Sequence, residues 1–168
     1  MYGHGRVLPP DHRALMLARA ASRLLLVKAG RRMRRDGWNA SRLGLYLNLY
    51  GKEWARDLRL PAVHDDQAVL TALEALWKAA RAALPRSTRV IQVGVKLSDL
   101  TLAGKRQLDI LLNDDVPRRK WESTTAAIDG LNSKYGRTLV SVGPWTSAGE
   151  FAGGKISYTR IPRAEDFW

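Results

Sequence analysis

The sequence predicts an α+β protein: a four-stranded antiparallel-type sheet with two helices on one face, in the order β-α-β-β-α-β, followed by a linker and a small α/β C-terminal extension. Three observations carry this expectation. Arg42 to Tyr50 alternates strictly, with Leu43, Leu45, Leu47 and Leu49 on one side and Arg42, Gly44, Tyr46, Asn48 and Tyr50 on the other, as a half-buried strand requires. Gly51-Lys52 then turns the chain into a second run, Trp54 to Leu60, in the manner of an antiparallel hairpin. Two further segments repeat apolar residues at helical spacing, and each must lay its stripe on a common surface.

Taken in order, Gly3 to Leu8 reads as a first strand, stopped by Pro9-Pro10, which neither a helix interior nor a central strand tolerates. Asp11 is placed to cap the helix that follows, in which Leu15, Ala18, Ser22, Leu25, Ala29 and Met33 share a face before Asp36-Gly37 stops it. Pro61 ends the hairpin's second strand. Asp65 or Asp66 caps the next helix, whose Val69, Leu70, Leu73, Leu76, Trp77 and Ala80 form one stripe before Pro85. Ile91, Val93, Val95 and Leu97 alternate with Gln92, Gly94 and Lys96 as the last strand. A first module thus covers residues 1–98, a polar linker 99–117 and an extension 118–168. The extension holds a helix with Trp121, Thr125, Ile128, Leu131 and Tyr135 on one side and Gly136 as its stop, then a strand from Thr138 to Val142.

Charge narrows the function. The chain carries 28 Lys+Arg against 16 Asp+Glu, a net of +12. Residues 1–104 hold 18 basic and 8 acidic residues (+10), and 105–168 hold 10 and 8 (+2), so the basicity belongs to the first module. Such an excess speeds encounter with polyanions, of which nucleic acid is the commonest inside cells; a plain solvated arginine-rich face is the alternative. The absence of cysteine excludes disulfide frameworks, thiolate catalysis and cysteine-ligated metal sites. No uncharged apolar run approaches the roughly 18 residues of a membrane span, and no signal peptide is visible, so a cytoplasmic protein without membrane partners is expected. His4, His12 and His64 lack metal-ligand spacing, and the glycines from Gly149 to Gly154 lack the Lys-Ser/Thr of a phosphate loop. Asp65-Asp66, Asp114-Asp115 and Glu165-Asp166 are adjacent pairs whose side chains diverge on any regular element. They read as cap, linker and terminal charge rather than as catalytic carboxylates.

The stretch Gly3-His4-Gly5-Arg6-Val7-Leu8-Pro9-Pro10, the arginine-rich helix after it, the leucine-alternating strand, Trp54 and Val93-Gly94-Val95-Lys96-Leu97 resemble the little-finger domain of Y-family translesion DNA polymerases, in the UmuC or ImpB/MucB/SamB branch. Tyr135-Gly136-Arg137 and the closing Tyr158-Thr159-Arg160-Ile161-Pro162 resemble that branch's C-terminal extension. The resemblance implies a module that lays its sheet across template-primer DNA during damage repair in the bacterial SOS response. It also implies a parent enzyme whose palm holds two Mg2+ on three carboxylates. Palm, fingers and thumb are not within these residues, so the expectation is a piece excised from a longer polymerase, itself without catalytic residues, metal or cofactor.

On that basis the expected DNA-binding residues are Arg42, Tyr46, Asn48, Gln92 and Lys96 on the uncovered sheet face, with Arg6, Arg34 and Arg35 in addition. Together they would neutralise about three to five phosphates without reading sequence. Gln107-Leu108-Asp109-Ile110-Leu111 resembles the bacterial sliding-clamp-binding pentamer, with Leu111 where phenylalanine is usual, which implies a clamp partner; a short strand packed on either module is the alternative. The competing functional reading is an adaptor that binds regulatory partners of a mutasome, with DNA contact incidental.

Overall fold

In the computed structural model, residues 1–103 and 115–143 are described. The expected order is present: β1 (Tyr2–Val7), α1 (Leu15–Arg35), β2 (Trp38–Leu49), β3 (Lys52–Val63), α2 (Asp66–Ala83), β4 (Val90–Leu102) and α3 (Asp115–Tyr135). All strand pairings are antiparallel and the spatial order is β1-β4-β2-β3, so the first and last strands of the βαββαβ unit lie side by side.

Burial follows the alternation. Leu43, Leu45, Leu47 and Leu49 of β2 and Val93, Val95 and Leu97 of β4 are buried beneath the helices, with Ala18, Leu25, Ala29 and Met33 of α1 and Val69, Leu70, Leu73, Leu76 and Ala80 of α2. Trp77 is completely buried where the two helices meet. Its indole N–H donates to Ser22 Oγ at 2.8 Å, which in turn donates to the Arg19 carbonyl at 2.7 Å, so the indole's polar edge is satisfied within the core.

Along these elements one expectation is narrowed, the cap of α2, and three are corrected. Asp11 does not cap α1: it sits in a 3-10 turn, Pro10–His12, and the helix starts only after Ala14, which bridges Arg89 in extended conformation. The cap at α2 is Asp65, which accepts from the Ala68 N–H at 2.8 Å. Pro61 does not end β3, because β3 is the outer strand and its ladder skips from Arg59 to Val63 through a bulge in which Ala62 has φ 45°. Proline's missing N–H is therefore not needed there. Finally, β4 continues through Leu102, pairing residues 100–102 with 38–40, so four residues expected in the linker belong to the sheet.

The helix of the extension docks on the first module. The Asp66 backbone N–H donates to Thr125 Oγ1 at 3.2 Å, and Asp129 closes an ion-pair cluster with Arg34 and Arg31. Thr125 and Asn132 are its buried residues, while Leu131 and Tyr135, expected on the packed side, are exposed. Thr138 to Val142 forms no strand. Asn132 holds it instead, its Oδ1 accepting from the N–H groups of Leu139 (2.7 Å) and Val140 (3.1 Å) and its Nδ2 donating to the Val140 carbonyl (2.8 Å). Arg23 donates to the Val142 carbonyl beyond it.

At the start of β1, Tyr2 donates to Asp36 Oδ2, just past the end of α1, at 2.7 Å. Partial burial, this bond and the Asp36 charge push the phenol up to about 12. Its protonated form is the favoured one in the folded chain, so the contribution is complete below about pH 10 and lost as the pH rises from there to about 12. Ultraviolet titration of the five tyrosines should show a phenol ionising near pH 12 that Tyr2→Phe removes; if the variant instead loses a phenol that ionises near pH 10, the contact is contradicted.

Candidate nucleic-acid interface

Residues directly opposite in an antiparallel sheet share a face, so the registers assemble the uncovered side row by row. The rows are Val7–Gln92–Asn48–Glu53, Gly5–Gly94–Tyr46–Ala55, Gly3–Lys96–Gly44–Asp57 and Ser98–Arg42–Arg59. Five of the residues expected to bind DNA, Arg42, Tyr46, Asn48, Gln92 and Lys96, therefore lie together on this face, on the two central strands.

Three others do not. Arg6 shares its row with Val93 and Leu47 and so stands on the helix-covered side, where burial lowers its guanidinium pKa. Arg34 is nine-tenths buried. Its Nε and Nη2 donate to Asp129 at 2.6 and 2.9 Å, and its Nη1 donates to Asp66 Oδ1 at 2.7 Å and to the His64 carbonyl at 2.9 Å. Arg35 closes α1 beside Asp36, at 3.2 Å, again on the helix side. Helical phase explains both: the run 31–35 circles the end of α1, and that end meets α3 rather than the open sheet. Together with Trp38 and α3 this region encloses a cleft of about 770 Å3, remote from the uncovered face. The clamp-like residues Gln107, Leu108, Asp109, Ile110 and Leu111 lie outside the described residues.

The face is mixed in charge rather than uniformly basic, because β3 brings acidic residues that alternation on β2 and β4 alone could not locate. Arg42 donates to Asp99 Oδ2 at 2.9 Å, a bond that raises its pKa and is within reach of solvent. Tyr46 donates to Glu53 Oε1 at 2.6 Å, which pushes the phenol upward and draws its hydroxyl toward β3 in the neighbouring row. Lys96 is exposed and, like Arg59, pairs with no carboxylate among the described residues.

The other feature is relief. Gly3, Gly5 and Gly94 leave the β1–β4 half of the face almost without side chains beside Tyr46 and Lys96. Gly5 and Gly94 lie directly opposite each other and have negative φ, and a Cβ built on Gly94 would meet only His4 O and Tyr46 at 3.8 Å. Neither glycine is needed for a turn or for packing, so together they form a flat floor on which a ligand's backbone can approach the sheet.

The sequence model of the impB/mucB/samB family C-terminal domain matches residues 1–110. No curated protein sequence matches the chain. Among solved structures, the post-insertion binary complex of Dbh DNA polymerase is similar, with a TM-score of 0.51 and 13 % identity over 60 % of this chain and 29 % of that one. The insertion ternary complex of Dbh DNA polymerase is similar to the same degree, with a TM-score of 0.50 and 13 % identity over 60 % of this chain and 28 % of that one. The chain thus spans less than a third of the length of those polymerase chains, and at such identity the likeness is one of fold.

Proposed function

Since the chain belongs to the impB/mucB/samB family and carries its C-terminal domain, a Y-family little finger, we propose that it holds duplex DNA on the uncovered sheet face without reading sequence, as part of a translesion polymerase whose catalytic palm lies elsewhere. The observation that carries this reading is the face itself: four strands broad, floored by glycine, and bearing Lys96, Arg59 and Arg42 among the neutral donors Tyr46, Asn48 and Gln92. Cations in that arrangement neutralise phosphates, and amide and hydroxyl groups fix register on the backbone; neither needs a particular base. Arg42 can exchange its solvent-accessible carboxylate for a phosphate at small cost, because an exposed ion pair is worth little.

Three cations on the face imply about three neutralised phosphates, so log K against log[salt] should slope near −2.7 for duplex DNA. Lys96→Ala should reduce that slope by about one unit and weaken unrelated duplexes equally. Fluorescence anisotropy across a salt series checks both, and a flat salt dependence would sink the reading.

Tethering to a sliding clamp through residues 107–111 forms the second part of the proposal, supported by the sequence pattern Gln-Leu-Asp-Ile-Leu. A tether raises the local concentration of the domain at DNA without adding DNA contacts. Retention on immobilised clamp that Gln107→Ala abolishes would support it, and equal retention of both would refute it.

A further inference from the structure

Where the β2–β3 turn closes the sheet, Tyr50 is 70 % exposed yet held in place. Arg13 Nη1 donates to the Tyr50 hydroxyl at 2.7 Å, and the guanidinium carbon stands 5.9 Å from the ring centroid. Arg13 is itself fixed at two further points: its Nε donates to the Leu8 carbonyl at 3.0 Å and its own carbonyl accepts from the Val90 N–H at 2.8 Å. A solvent-exposed ring would ordinarily sample several rotamers, but here a cation anchored to two strand ends orients it. The surroundings carry cations and an exposed apolar residue, with one carboxylate, Glu53, in the adjoining row. Lys52 opens β3 just after the turn, Arg89 donates to the Pro10 carbonyl at 2.6 Å, and Val7 is exposed in the adjoining row of the uncovered face.

We propose that Tyr50, positioned by Arg13, is a stacking platform for an unpaired nucleobase, so that the domain recognises the junction between duplex and single strand rather than duplex alone. An oriented aromatic ring among cations is the chemistry of sequence-tolerant single-strand binding: every base has a face to stack, and the neighbouring charges hold its phosphates. The platform adjoins the row Val7–Gln92–Asn48–Glu53, so a strand leaving the duplex on the sheet meets it without crossing the core. This inference rests on the duplex-binding reading above, and its test separates the two.

The full chain is titrated at fixed salt with a blunt duplex and with the same duplex carrying a short single-stranded overhang. The overhang should bind about five- to tenfold more tightly, the low end of what one stacked base supplies. Tyr50→Ala should abolish that preference and leave blunt-duplex affinity and melting temperature unchanged; Tyr50→Phe, which keeps the ring, should retain at least half of it. Photocrosslinking from a halogenated uracil in the overhang should label Tyr50 in the unaltered protein, a readout independent of any variant's folding. Equal affinity for both DNAs, an undiminished preference in Tyr50→Ala, or a Tyr50→Phe loss as complete as that of alanine would each overturn the platform. Failure to bind even the blunt duplex would instead overturn the duplex-binding reading beneath it.

Discussion

Arg34→Ala should destabilise the protein by about 3–5 kcal/mol, the usual cost of removing one partner from a buried ion pair. The reason lies in what remains. Asp66, with a side chain 1 % exposed, would lose the guanidinium 2.7 Å away and stay in the core with an uncompensated charge. Burial already pushes the Asp66 carboxyl above the usual carboxylate range, against the pull of Arg34, while burial of Arg34 is outweighed by Asp66 and Asp129, which push its guanidinium up. Without Arg34 only the smaller pull of Arg31 opposes the upward push on Asp66. A carboxyl whose folded pKa is raised contributes stability at low pH and loses it as the pH climbs through that value. The variant's deficit should therefore be largest near neutrality and narrow as the pH falls toward about 4. Urea denaturation of both proteins across pH measures this, and a deficit below about 1 kcal/mol, or one that widens on acidification, would contradict the geometry. Arg34→Met with Asp66→Asn should recover much of the loss, because replacing both charges leaves nothing unpaired.

The same cluster ties the extension to the first module. Asp129 comes from α3, which begins after the segment matched by the family's C-terminal domain, and its two oxygens take the Nε and Nη2 of Arg34 as a bidentate pair. Asp66 meets α3 as well, through Thr125. One arginine thus secures α1, α2 and α3 at a single point, and the fold uses it for cohesion rather than for phosphate.

That role shows where reading the sequence works and where it stops. Period-2 alternation locates the buried leucines of β2 and the apolar residues of β4 because one face of each strand is covered, and a slip of one residue would expose them all. The uncovered residues of β2 and β4 follow from the same pattern, which is why Arg42, Tyr46, Asn48, Gln92 and Lys96 are found together. Arg34 is opaque to that method: in a run of arginines, helical phase alone cannot separate the one aimed into the core from those aimed at solvent. Only its partners do, and Asp66 and Asp129 lie 32 and 95 residues away. Glu53 and Asp57 were hidden for a related reason. A mostly exposed edge strand has no buried face to mark its phase, so its acidic residues could be assigned to the open face only once the ladder with β2 was known. Leu131 and Tyr135 mislead in the opposite sense, because α3 docks through Thr125, which the stripe contains, and through Asp129, a charged residue that hydrophobic spacing does not find.

Gly94→Val should weaken duplex binding by tenfold or more, about 1.4 kcal/mol, without weakening the fold. Two independent considerations lead there. For the folded chain the exchange is favourable: Gly94 has negative φ, its Cβ would make only ordinary contacts at 3.8 Å, and valine suits a strand where glycine costs about 0.5–1 kcal/mol. For the ligand it is unfavourable, because an isopropyl group would stand on the glycine floor between Tyr46 and Gly5 and lift a DNA backbone away from Lys96 in the next row. Stability and affinity should therefore move in opposite directions, which no general misfolding can mimic. Gly94→Ala, adding one methyl group, should lie between the two in affinity. Melting temperature and anisotropy measured on the same samples decide the matter: a valine variant that melts no lower than the unaltered protein and still binds duplex with undiminished affinity would remove the uncovered face from consideration as the DNA-holding surface.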